Sequence, residues 1–147
     1  MYLRIKGNEF TTPFLHEVAA LTDHACLYVR NVHYEESNRM LTFSIQRFPI
    51  RKQRIFQGYD YDMTCPIDAS IIIRNVIQYN VDNHISDSPD AEVTLLFGLT
   101  VKGNQLCLSS AEESSGVTEY MVIIEVSELD LEIRDTTEEN HENKNIT

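Results

Sequence analysis

Apolar and polar residues alternate with a period of two through much of this chain, in short runs broken by turn-forming residues roughly every eight to twelve positions. That pattern selects antiparallel β structure with one buried face. The alternation is plainest from residue 25 onward, where Leu27, Val29 and Asn31 fall on one side and Tyr28, Arg30, Val32 and Tyr34 on the other. Glu35-Glu36-Ser37-Asn38 interrupts it and residues 40–48 resume it. This reads as a hairpin, because Ser and Asn bond their own backbone in turns and Asn tolerates positive φ. Pro49 cannot donate to a ladder and ends the strand, leaving 50–57 as an exposed, edge-like extended segment and 58–66 as a connection.

A second run begins at Ala69 and continues as one strand to about Val81, before Ser86-Asp87-Ser88-Pro89-Asp90 marks a loop and 93–101 a further strand. Lys102-Gly103-Asn104 and Ser114-Ser115-Gly116 are tight connections that lead into strands over 105–110, 120–126 and 129–134. Near the start, Thr12 stands before Pro13, so its hydroxyl caps a short helix over 13–21 with Phe14, Leu15, Val18 and Leu21 on one face. The expected fold is therefore mainly β: an antiparallel β-sandwich or partly open barrel of about eight strands with one short N-terminal helix. A chain of 147 residues suits one domain. Residues 1–135 are expected to form it, and 136–147, rich in Glu and Asn with one apolar residue, to be a disordered acidic tail.

One internal similarity stands out. Ala25-Cys26-Leu27-Tyr28-Val29-Arg30-Asn31-Val32-His33 and Ala69-Ser70-Ile71-Ile72-Ile73-Arg74-Asn75-Val76-Ile77 share Arg-Asn-Val and a small, mostly apolar lead-in. Two such strands would begin corresponding hairpin units and sit centrally in their sheet with a tightly set register, since a one-residue slip would expose Val29 and Ile73. Arg30 and Arg74 either lie on the outer sheet face or mark a paired anion or carboxylate site.

Charge is unevenly placed. Residues 1–59 hold eight basic and five acidic side chains, a net +3, and 60–147 hold four basic and eighteen acidic, a net −14, which together give −11. A domain this acidic repels nucleic acid backbone and anionic lipid and attracts basic proteins or cations, and the split favours contact between the basic part of one copy and the acidic part of another. No window approaches the ~18 uninterrupted apolar residues of a membrane-spanning helix, and the alternating start is unlike a secretion signal, so a soluble cytoplasmic protein is expected. Cys26, Cys65 and Cys107 are odd in number and widely spaced, which argues for reduced, mostly buried thiols over a disulfide framework or zinc ribbon.

The best binding motif is the stretch from Arg47 to Tyr59, where Arg47, Arg51, Lys52 and Arg54 interleave with Phe48, Phe56 and Tyr59. Those residue types suit a single-stranded nucleic acid groove. The acidity downstream disfavours that partner, and basic residues with Pro also protect an edge strand from aggregation. Asp60 and Asp62, with Asp82, Asp87 and Asp90 from a second loop, form the candidate set for a hard divalent cation such as calcium, without the order of an EF-hand.

Catalytic spacing is lacking. Asp23-His24-Ala25-Cys26 brings acid, imidazole and thiol together in sequence, but a nucleophilic thiol needs an electropositive, accessible setting. With five glycines there is little material for a phosphate-cradling loop, and no cofactor is expected. The expected role is a non-enzymatic protein-interaction or self-assembly module, its partner a second copy or another protein. The alternative is a small-ligand or cation-binding domain using the acidic loops.

Overall fold

The computed structural model describes residues 2–7, 11–54, 58–83, 92–95, 98–110 and 120–136. Its elements run β1 (Tyr2–Lys6), α1 (Thr12–Thr22), β2 (Cys26–Glu35), β3 (Met40–Arg47), β4 (Ile50–Arg54), β5 (Gly58–Tyr61) and β6 (Ile67–Ile73). They continue with β7 (Val76–Asn83), β8 (Glu92–Thr94), β9 (Leu99–Lys102), β10 (Gln105–Ser109), β11 (Tyr120–Val126) and β12 (Asp130–Asp135). A six-stranded antiparallel sheet has the order β1-β12-β6-β3-β2-β8, a four-stranded one the order β7-β11-β10-β9, and β4 and β5 pair as a separate hairpin. Neither large sheet closes on itself, so the protein is a β-sandwich with one short helix rather than a barrel.

Alternation does what the period of two requires. Leu41, Phe43 and Ile45 of β3, Leu131 and Ile133 of β12, and Ala69, Ile71 and Ile73 of β6 point into one core. There they meet Leu106 and Leu108 of β10 and Tyr120, Val122, Ile124 and Val126 of β11. Each large apolar side chain enclosed this way contributes roughly 1.5–3 kcal/mol; intervening residues such as Thr42, Ser44 and Ser70 are left for solvent or for polar contacts, whereas the intervening Ile72 is itself buried.

The expected hairpin is present. β2 and β3 are joined by a single 3-10 turn over Glu36–Asn38, in which Asn38 Nδ2 donates to Glu35 Oε1 (2.5 Å) and Arg39 takes the left-handed conformation at φ 48°. Strands β2 and β6 are both interior to the six-stranded sheet, as expected for the two Arg-Asn-Val segments. Their registers differ, however. β6 runs unbroken against β3 and β12, whereas β2 slips: Leu27 lies opposite Ile45 and Val32 opposite Phe43, so residues 28–31 span the single position of Ser44.

Three expected boundaries are corrected by the structure. The run from Ala69 to Val81 is two strands, because Asn75 adopts φ 59° and turns the chain from the six-stranded sheet into β7 of the other. The run over 93–101 is likewise two strands, β8 and β9, in different sheets. Gly98 makes that second crossing possible: its φ is 65°, and a Cβ there would collide with Thr22 Oγ1 and come within 2.8 Å of the Asp23 amide. The segment expected as a connection after residue 57 contains β5, in register with β4 so that Lys52 lies opposite Asp60.

Helix α1 begins one residue earlier than expected. Thr11, not Thr12, occupies the cap position, its side chain makes no capping bond, and Pro13 falls in the first turn. Only the C-terminal part of the helix reaches the core, through Val18 and Ala20, while Phe14 stays exposed. The Thr22 hydroxyl donates back to the Val18 carbonyl (2.8 Å) and accepts the Leu99 amide (2.8 Å), which ties the helix end to β9. Residues 137–147 of the expected tail, the 84–91 loop and the 111–119 connection lie outside the described residues. Among those described, no helix is long and apolar enough to cross a membrane.

Candidate functional site

The two Arg-Asn-Val segments occupy different surroundings, with β3 between the strands that carry them. At the β6–β7 corner the Arg74 amide donates to the Asp130 carbonyl (3.1 Å), and its guanidinium donates to Glu132 (2.8 Å) with Asp130 at 3.9 Å. Arg4 of β1 closes on the same Asp130 through two bonds of 3.2 and 3.1 Å, so the corner carries a ladder of alternating charges. Arg74 is thus matched by carboxylates of its own chain. Arg30 lies within the slipped part of β2, and its side chain lies outside the described residues.

Within the basic segment, Arg47 turns inward. Its Nε and Nη2 donate to the two Asp135 oxygens at 2.8 and 2.7 Å in a buried bidentate pair. Burial opposes ionisation of Asp135, but the Arg47 guanidinium outweighs it and holds the carboxyl below its usual value. Arg51, Lys52 and Arg54 follow on β4, whose only partner strand among the described residues is β5; their side chains lie outside the description.

Of the acidic set, Asp62 is used locally: its Oδ1 accepts the Thr64 amide (3.0 Å) and hydroxyl (2.6 Å). Asp82 lies on β7, in the other sheet. The Asp60 side chain, Asp87 and Asp90 lie outside the described residues, among which no three His, Cys, Asp or Glu side chains group to hold a metal ion.

All three cysteines are free; Cys26 and Cys107 are half-buried and Cys65, against expectation, is exposed, because it sits in the turn before β6. Burial and a hydrogen bond to Glu92 push the Cys26 thiol up to about 11, and burial also raises Cys107. Cys26 therefore stays a thiol near neutral pH, the opposite of an activated nucleophile. His24, at φ 60°, pairs with Asp23 at 2.8 Å.

Two further surfaces arise from the sheet arrangement. The first is β7, an edge strand that pairs only with β11 among the described residues. Tyr79 and Val81 lie opposite Ile124 and Val122 and so face inward, yet each is 39% exposed, and Ile77, where the register with β11 slips, is 55% exposed. The Tyr79 ring meets Tyr34 of β2 across the gap between the sheets, with centroids 4.9 Å apart. The second is a groove of about 230 Å³ on the outer face of the six-stranded sheet. Its floor is Ser44 and Gln46 of β3 beside Ser70 and Asp68 of β6, and its wall is the slipped part of β2 with Tyr28 and Asn31. Neither surface was singled out in the sequence. The lack of Lys, Arg and Pro over Val76–Asn83 was visible there, whereas nothing local announces the slip that opens the groove.

Comparison with known protein families, with curated proteins and with solved structures finds no match.

Proposed function

We propose that this protein is a non-enzymatic interaction module that associates with a second copy of itself through the edge of β7 that no described strand covers. The carrying observation is the exposure of Ile77, Tyr79 and Val81 on an eight-residue edge strand. Free edges are normally blunted by Lys, Pro or inward charges, and β7 has none of the three, its single acid, Asp82, alternating to the outer face. The choice of a second copy rests on the residues themselves. Ile77-Gln78-Tyr79-Asn80-Val81 has the same order of residue classes in both directions. An antiparallel copy centred on Tyr79 sets apolar against apolar and amide against amide, with no like charges opposed. The basic β4 strand, with Arg51, Lys52 and Arg54, supplies a second, weaker attraction toward the acidic half of another copy.

Size-exclusion chromatography with light scattering at low and high salt tests this, using the full chain and the variants Tyr79→Lys and Val81→Lys, checked for folding by near-ultraviolet circular dichroism. The expected result is a dimer that persists in high salt, because edge pairing rests on backbone bonds and apolar contact, and that both variants reduce to the 17.0 kDa chain. A dimer that loosens with salt and ignores both variants would shift the contact to β4 and the acidic half. A monomer in both buffers would overturn self-association altogether.

A further inference from the structure

We infer that the groove walled by the slipped part of β2 is a binding site for a neutral saccharide, a role separate from pairing at β7. The site is a consequence of register. Four residues of β2 span one position of β3, so the strand bows away from its partner and opens a cleft. The outer-face positions of β3 and β6 stay paired beneath it, Ser44 with Ser70 and Gln46 with Asp68. The buried Ile45 and Ala69 that alternate with these residues hold the floor in place from the core side.

The lining chooses the ligand chemistry. Among the described side chains it offers one aromatic ring, Tyr28, two amides, Asn31 and Gln46, one carboxylate, Asp68, the hydroxyls of Ser44, Ser70 and Thr136, and a small apolar patch from Ile45 and Ala69. No basic side chain lines it among the described ones, and the Asp68 carboxylate on its floor repels a phosphate or carboxylate ligand. A single carboxylate is too little for a calcium cage, and a wholly apolar ligand would leave the amides, hydroxyls and carboxylate that line the groove beside Ile45 and Ala69 without hydrogen-bond partners. What remains is a neutral molecule that both donates and accepts at several adjacent positions. Planar amides and carboxylates bridge neighbouring hydroxyls of a sugar ring, and an aromatic face packs against its C–H side.

The groups are placed for that use. Gln46 Nε2 donates to Asp68 Oδ1 at 3.3 Å, which orients both side chains on the floor. The side chains of Asn31, Ser44 and Ser70 have no hydrogen-bond partner among the described residues, which leaves them for ligand or water. The volume of about 230 Å³ fits one sugar ring or the end of a short chain.

The test uses the full-length protein and an array of immobilised neutral glycans, followed by amide-resolved NMR titration with millimolar glucose, galactose, mannose and N-acetylglucosamine, and with inorganic phosphate as the anionic arm. The expected result is a shift confined to the amides around Asn31, Ser44, Gln46 and Ser70 with a neutral sugar. Tyr28→Ala and Asp68→Ala should each weaken binding about tenfold or more, and Asp68 is exposed, so its variant is expected to fold. The array and the titrations together decide the matter. No localised shift with any neutral sugar or array hit, a response at the groove to phosphate alone, or binding unchanged in both variants would each overturn the assignment.

Discussion

The two Arg-Asn-Val segments have nearly the same local sequence and opposite structural roles. At the β6–β7 corner, Asn75 takes a left-handed φ of 59°, its carbonyl accepts the Ser127 amide (2.9 Å), and its side chain donates to the Glu128 carbonyl (3.3 Å). In β2, Asn31 is not at positive φ, and its side chain lines a groove. The corner copy is knitted into the Ser127–Asp135 stretch; the strand copy is not. A shared tripeptide thus sets what each backbone can do, and the chain segment that packs against it sets what it does.

Arg47 shows the same dependence on β12 in its most enclosed form, so the largest effect is expected there. Arg47→Met leaves Asp135 buried without its cation and should cost about 3–5 kcal/mol, read from urea unfolding at neutral pH. Acid should narrow the gap to wild type. Because the folded carboxyl of Asp135 is depressed, its contribution is full above the ordinary carboxylate range and is lost as pH falls through the folded value. A gap that widens in acid would contradict the pairing.

A smaller loss separates the corner from the strand through its arginine. Arg74→Met strands Glu132, which is only 4% exposed, and is expected to cost about 1–3 kcal/mol. The comparison sharpens at the asparagines. Asn75→Val forces a β-branched residue into left-handed backbone at a cost of about 1–2 kcal/mol, whereas Asn75→Gly should be milder because glycine adopts that backbone freely. Asn31→Ala should stay within about 0.5 kcal/mol. Equal losses for Asn75→Val and Asn31→Ala would erase the distinction.

The smallest change is one of reactivity. Alkylation at mildly alkaline pH should label exposed Cys65 first and Cys26 slowly, because Cys26 remains protonated until pH approaches about 11. The raised thiol favours the fold below the unfolded thiol range, and that contribution is lost as pH rises through about 11. Mass spectrometry of the labelled chain reads the order, and early labelling of Cys26 would show that the burial and the Glu92 contact that raise its thiol do not hold.

The composition of the core was legible in one dimension. Period-two alternation marks Leu41, Phe43 and Ile45 as inward residues because neighbouring side chains on a strand must face opposite ways, whereas within 120–126 only Glu125 marks the outward side. Turn chemistry was equally local, and Glu36–Asn38 and Gly103 end strands where the residue types say they should. The candidate sites were not legible in this way. Arg47 is basic in any context, but only Asp135, far along the chain, makes it a buried structural residue. Asn31 and Asn75 are the same residue type, and only their partners distinguish them.

By itself, then, the sequence determined the strand period, most of the turns, the helix and the inward faces, because these follow from the stereochemistry of neighbouring residues. Tertiary structure decided where continuous apolar runs break between sheets, which edge stays open, which charges find partners, and where β2 slips against β3. Each of those depends on residues that meet only after the chain has folded back on itself, and no short window of sequence contains both members of the pair.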